Sequence, residues 1–363
     1  MKRTIALLLS VLLIMAAFAA CTPAEPEPQK TEPPVAPTEK PVEQPTEEPT
    51  VEEPVALKTG IAVITGIDKS KDAAADADGL AQADSIVVAV TVDPDGKIQN
   101  CVIDTAQTKM NFNAEGKMTT PLDTVYKSKQ QLKEEYNMKP ASQIGKEWYE
   151  QANAFAEYVI GKTADEVAGI ALTESLAPAD AELSASVTMH VNGYIDAIVK
   201  AVGNAQDLGA KAGDKLGLGV KTTIAKSKDA TADAAGLAQA YSTYAAVTYG
   251  PDGKITSCFI ESSQTNVNFD VTGKLTTALD AQFKTKQELK EEYNMKPVSQ
   301  IGKEWYEQAN ALAAYVTGKT IDEVKGIALN EGGAPADAEL AASVTIHVTD
   351  YLEVIEQTAA TAK

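Results

Sequence analysis

One passage of this chain occurs twice: LKEEYNMKPASQIGKEWYEQANA, from Leu132 to Ala154, returns as LKEEYNMKPVSQIGKEWYEQANA, from Leu289 to Ala311. The offset of 157 residues holds without a gap from Ser70/Ser227 to Ile198/Ile355. Solenoid repeats are much shorter, with periods of about 20–50 residues, so each copy is a whole folding unit. The chain is therefore read as two tandem homologous domains, repeat 1 over 57–203 and repeat 2 over 217–363, joined by a linker over 204–216. At about 145 residues, each copy is long enough to bury a core of its own.

The N-terminus carries a charged Met1-Lys2-Arg3, an apolar run from Ile5 to Phe18 and a small pair, Ala19-Ala20. That order predicts a signal peptide over 1–20, and the apolar run is too short for a comfortable membrane span. Cys21 follows directly and opens a polar, proline-rich tract, an arrangement similar to the lipobox of bacterial lipoproteins. The resemblance implies that Cys21 is lipidated, becomes the first residue of the mature chain and anchors it to the outer face of a bacterial cell membrane. Phe18 stands where a leucine is usual, and plain secretion with a free Cys21 is the alternative. Residues 21–56 hold most of the chain's 17 prolines, many glutamates and few apolar side chains. Such a segment is expected to stay disordered and extended, a stalk reaching on the order of 100 Å at about 3.1 Å per residue.

A net charge of −19 argues against a nucleic-acid partner, whose phosphates require a basic surface. Beyond Cys21 the only cysteines are Cys101 and Cys258, equivalent positions in the two copies. Neither has metal-ligand spacing, and both sit in strand-like runs where a small buried hydrophobe is the expected role.

Within a copy, the β-branched run Ser85–Val92, the turn Asp93-Pro94-Asp95-Gly96 and the alternating run Lys97–Asp104 predict a β-hairpin, repeated around Pro251-Asp252-Gly253. TKMNFN and KMTT are expected to extend it into an antiparallel meander. From Ser142, Ile144, Trp148, Ala152, Phe155 and Val159 fall on one helical face that ends at Gly161. Thr163 with Glu166, and Thr320 with Glu323, predict capping boxes. Leu183, Val187, Val191, Tyr194, Ile198 and Val202 then recur at helical spacing, predicting a last amphipathic helix. Strands first and helices later make the fold class α+β.

No Ser/His/Asp grouping, zinc spacing, Walker loop or nucleophile elbow occurs in either copy, so an extracellular enzyme ranks last among the readings. The two histidines, His190 and His347, are equivalent, each in a Ser-Val-Thr-x-His run with Ser186 and Thr188 or Ser343 and Thr345. The expected place of each histidine is the apolar side of the last helix, with contact to a ligand as the functional reading. A hairpin-rich start, a helical middle and a Ser/Thr-rich motif before an amphipathic helix resemble the extracytoplasmic FMN-binding domain family. In that family a threonine in an Asp-x-x-Ser-Gly-Ala-Thr motif is covalently linked to the FMN phosphate. The stretch Glu182-Leu183-Ser184-Ala185-Ser186-Val187-Thr188, and Glu339 to Thr345 in the second copy, stand closest. Glu182 and Glu339 replace the aspartate, Ala185 and Ala342 the serine, Ser186 and Ser343 the glycine, and Val187 and Val344 the alanine. The resemblance implies FMN as cofactor, Thr188 and Thr345 as attachment residues, and Ser186, Ser343, His190 and His347 near it. It further implies a surface electron carrier between a membrane donor and an extracellular acceptor. The alternative is a non-redox binding or interaction lipoprotein on the same fold. Trp148 and Trp305, with Tyr149 and Tyr306, are candidate ring walls, although tryptophans on a regular helix are more often core.

If Cys21 carries a lipid, Cys21→Ser will move the exported protein from the detergent-rich to the aqueous phase in a Triton X-114 partition. Retention of the variant in the detergent phase would remove the anchor.

Overall fold

The computed structural model describes residues 54–363; the signal peptide, Cys21 and nearly all of the proline-rich tract lie outside the described residues. Each copy opens with a three-stranded antiparallel meander. In repeat 1 this is β1 (Lys58–Gly66), β2 (Gly79–Val92) and β3 (Ile98–Phe112), followed by α1 (Lys129–Leu132), α2 (Trp148–Tyr158), α3 (Ala164–Ala168), α4 (Ala181–Ser184) and α5 (Asn192–Gly203). Repeat 2 runs through β4 (Lys215–Thr223), β5 (Gly236–Tyr249), β6 (Ile255–Phe269), α6 (Lys286–Leu289), α7 (Trp305–Val316), α8 (Ile321–Lys325), α9 (Ala338–Ala341) and α10 (Thr349–Thr361). The α+β order of two tandem units is thus present. The linker boundary moves: Lys215 and Leu216 already belong to β4, and the segment before them bonds to the start of repeat 1, with Leu57 N donating to Ala210 O and Ala212 N to Val55 O, both at 2.8 Å.

The strands form where the sequence alternates or runs β-branched, and β2 shows why so many of its residues are apolar. Val88 and Val90 point into a core with Ile103, Trp148, Phe155 and Ile198, under the helices of the same copy. Val87 and Ala89 point the other way, against Leu218, Tyr244 and Ala246 of repeat 2. A strand buried on both faces reads as a continuous hydrophobic run, because successive side chains alternate in direction. The expected hairpin turn is closed by Asp93, whose Oδ1 accepts from Asp95 N at 3.0 Å and Lys97 N at 2.9 Å. β1, which precedes the hairpin, was not anticipated. Of the expected extension, TKMNF lies in β3, while Met118 makes only an isolated bridge to Phe112.

The inner faces of the two meanders pack on each other and bury a shared core. At one end Phe112 and Phe269, equivalent residues, stack with ring centroids 4.2 Å apart and planes 7° from parallel. Bonds across this junction come in reciprocal pairs: Ala73 N donates to Gly273 O at 2.8 Å and Ala230 N to Gly116 O at 2.7 Å. Likewise Met118 N donates to Asp229 Oδ1 and Leu275 N to Asp72 Oδ1. This is the residue-i-to-j, j-to-i pattern of an isologous dimer, here within one chain. Gly116 and Gly273 serve it twice over. Both have positive φ (65° and 70°), and a Cβ on either would sit 2.6–2.8 Å from the alanine of the opposite copy that it faces.

The last amphipathic helix is broken. α4 and α5 leave residues 185–191 non-helical, and α9 and α10 leave the equivalent gap. The buried side chain of Gln151, on α2, explains the break: its Oε1 accepts from Thr188 N at 2.8 Å and Met189 N at 3.2 Å, replacing the carbonyls a continuous helix would supply. Gln308 does the same for Thr345 and Ile346. α2 itself starts at Trp148, six residues later than the periodicity from Ser142 predicts. The capping boxes are present: Glu166 N donates to Thr163 Oγ1 and Thr163 N to Glu166 Oε2, with Thr320 and Glu323 matching.

Phe112→Ala and Phe269→Ala should each cost about 3–5 kcal/mol of unfolding free energy in urea titrations. The double variant should cost clearly less than their sum, since each residue removes the other's partner. Strict additivity would argue against the shared core.

Candidate functional site

The two threonines of the Ser-Val-Thr-x-His runs do not line an open site. Thr188 Oγ1 donates to Gln151 Oε1 at 3.3 Å and Thr345 Oγ1 to Gln308 Oε1 at 3.2 Å, glutamines that are themselves buried. The same glutamines donate through Nε2 to Ser142 Oγ and Ser299 Oγ, at 3.0 and 3.1 Å. Each threonine thus belongs to a saturated polar staple that holds the helix break. Ser186 and Ser343 are half-buried in the turn before it, their amides bonded to Leu183 O and Leu340 O. His190 and His347 are exposed in the loop before the last helix rather than set on its apolar side. The apolar spacing placed them on a helix that Gln151 and Gln308 interrupt.

Trp148 and Trp305 are core residues, each donating Nε1 to a tyrosine of the last helix: Tyr194 Oη at 3.0 Å and Tyr351 Oη at 2.9 Å. Cys101 and Cys258 are buried in the helix-side cores, and burial pushes the Cys101 thiol up to about 12 and that of Cys258 further, which leaves neither reactive. Among the described residues no cluster of three His, Cys, Asp or Glu could hold a metal ion, and no helix is long and apolar enough to cross a membrane.

A cavity of about 350 Å³ does open in repeat 2, lined among others by Tyr241, Thr243, Lys226, His347, Thr349 and Tyr351. This is within the usual range for small-molecule sites, about 300–1,000 Å³. Of the residues singled out from sequence, only His347 reaches it. β5 supplies Tyr241 and Thr243 from its helix-side face, the first turn of α10 supplies Thr349, Asp350 and Tyr351, and Thr223 of β4 and Gln264 of β6 complete the wall. Behind Tyr241 lies Lys286, which is 3 % exposed. Its Nζ donates to Tyr241 Oη at 2.7 Å and sits over the rings of Tyr241, Tyr293 and Trp305 at 4.6, 4.5 and 5.2 Å. Among the described residues it has no carboxylate within salt-bridge distance.

Repeat 1 differs at these positions. Asp84 stands where Tyr241 does, and Ile86 where Thr243 does. Lys69, the counterpart of Lys226, is drawn onto Asp84 at 2.8 Å, so in repeat 1 an ion pair joins the two positions that face the cavity in repeat 2. Lys129, the counterpart of Lys286, lies over Tyr136 and Trp148 but is only half-buried.

The turn bearing Lys286 is fixed by a buried carboxyl group. Glu261 Oε1 accepts from Ser262 N at 2.9 Å and Gln287 N at 3.0 Å, and its Oε2 from Thr285 Oγ1 at 2.7 Å. Asp104 does the equivalent in repeat 1, accepting from Thr105 N and Gln130 N. Burial outweighs these bonds and raises Asp104 from 3.8 to about 6 and Glu261 from 4.5 to about 7.

Comparison of the chain with protein-family models, with curated proteins and with solved structures returns no significant match.

Because these two carboxyls have raised values in the folded state, the stability associated with them is full below about pH 4 and is lost as pH rises through about 6 to 7. Exposed capping carboxylates such as Glu166 and Glu323, held low by backbone hydrogen bonds, act oppositely and at more acidic pH. Melting temperature should therefore fall between pH 5 and pH 8, and Asp104→Asn with Glu261→Gln should flatten that fall. An unchanged slope in the double variant would assign it to net charge alone.

Proposed function

We propose that this chain is an exported binding protein, tethered to a cell membrane through Cys21, which holds a small planar molecule non-covalently in its second repeat. The cavity between β5 and α10 carries this reading. It offers two tyrosine rings as walls, with three threonines, Gln264, His347, Lys226 and Asp350 around them, a mixture of aromatic surface and polar groups that can orient a small molecule. Flavin mononucleotide is the first candidate, because the order of elements resembles the extracytoplasmic FMN-binding domains. The covalent form of that chemistry does not fit these residues: neither threonine lines the cavity, and both hydroxyls are turned onto buried glutamines. Bound in the cavity, a flavin would supply one- and two-electron transfer, with the protein setting its position and surroundings. A lipid anchor at Cys21 would keep such a carrier near membrane partners at high effective concentration.

The test is native and denaturing mass spectrometry of the mature exported chain, with and without added FMN, beside a Tyr241→Asp/Thr243→Ile variant that installs the residues of repeat 1. One FMN per chain, lost on denaturation and absent from the variant, is expected. Covalent increments on both repeats would replace this reading with the threonine-linked electron carrier, and no uptake of FMN would remove flavin altogether.

A further inference from the structure

Lys286 is the least expected residue in the fold: a lysine 3 % exposed, without a carboxylate partner among the described residues, whose ammonium donates to a single phenol. A buried cation is costly unless paired, and three aromatic faces compensate it only in part. The remaining compensation is available from Tyr241 Oη. The hydrogen-bond directions agree with this. Trp305 Nε1 is donor only, so Tyr351 Oη accepts from it at 2.9 Å; Tyr351 Oη and Tyr241 Oη lie 3.1 Å apart and share a hydrogen bond that either hydroxyl can donate. Tyr241 Oη accepts from the Lys286 ammonium at 2.7 Å and is free to accept from Tyr351 as well, the surroundings of an acceptor. Burial pushes the Tyr241 phenol up, but the nearby Lys286 charge and its hydrogen bond lead the effects that more than reverse this and bring the phenol below its ordinary range. Tyr351, buried beside that oxygen, is held well above the ordinary range and stays a donor.

Resting on the cavity reading above, we propose that Tyr241 Oη, held by the Lys286 ammonium, is the proton-accepting group of the site, and that its ligands present an acidic O–H or N–H to it. Phenols, enols and imides are the matching class. When the proton transfers, the ligand's O–H or N–H bond breaks, its electron pair stays on the ligand, and Tyr241 Oη becomes a phenol. The resulting ligand anion then faces a site whose buried ammonium is no longer balanced by Tyr241. Repeat 1 cannot do this, since Asp84 is tied to Lys69 and to the Nε2 of Gln82. Tyr241 and Lys286 thus make repeat 2 the working copy.

Two measurements on the mature chain test the proposal separately. In an absorbance titration near 295 nm, one of the 12 tyrosines should ionise before the rest. Tyr241→Phe should delete that step, and Lys286→Met, which fills the same space without charge, should merge it with the main transition. A titration curve unchanged by Tyr241→Phe overturns the acceptor role. p-Nitrophenol should bind about tenfold more tightly than p-nitroanisole, as a hydrogen bond that the ether cannot donate implies, and the preference should vanish in Tyr241→Phe. Equal affinities overturn the ligand class. Failure of both probes to bind, with the early titration step intact, counts against the cavity as a binding site and not against the Tyr241–Lys286 pair.

Discussion

The packing of one meander's inner face on the other is the constraint on which the rest of this structure depends. Each sheet has two apolar faces, and the helices of a copy cover only one of them. Without its twin, either repeat would expose Ile61, Val87 and Phe112, or Leu218, Tyr244 and Phe269, to water. Burying a face of that kind is the dominant favourable term in folding, and here only the second copy can bury it. The duplication is therefore an intramolecular dimer, and the short linker makes its association independent of concentration.

Internal symmetry constrains some positions tightly and leaves others free. Lys200 pairs with Glu288 at 2.5 Å, and the equivalent residues on the opposite side, Gln357 and Gln131, meet through an amide hydrogen bond at 3.1 Å. Both members of the pair differ together, so an ion pair on one side is an amide pair on the other with little change in shape. The helix-side positions of the central strands β2 and β5 are freer still. There Asp84 and Ile86 are the counterparts of Tyr241 and Thr243, and one copy joins the positions with an ion pair while the other keeps a cavity and buries a lysine behind it.

Much of the fold was legible because its local signals are strong. The Asp-Pro-Asp-Gly turn, the capping boxes and the α2 face depend on residues within a few positions of each other, and the structure keeps them. The helix break was not legible: Val187 and Val191 have perfect helical spacing, but the amides between them are taken by a glutamine 37 residues away in sequence. The same distance effect misplaced the histidines. The candidate site was hidden for a different reason. The residues that match between copies, Thr188 with Thr345 and Ser186 with Ser343, do not line it, whereas Tyr241 and Thr243 are informative because repeat 1 lacks them.

The sequence by itself determined that there are two equivalent α+β units, where their turns and caps lie, and that Cys101 and Cys258 sit in buried strands, since periodicity and turn chemistry are local. Tertiary structure decided that the two units share a core, that Thr188 and Thr345 close a staple, and that Tyr241, Lys286 and Tyr351 converge. These outcomes depend on side chains far apart in the chain competing for the same amides, the same apolar face and the same buried charge, and no local pattern records which of them wins.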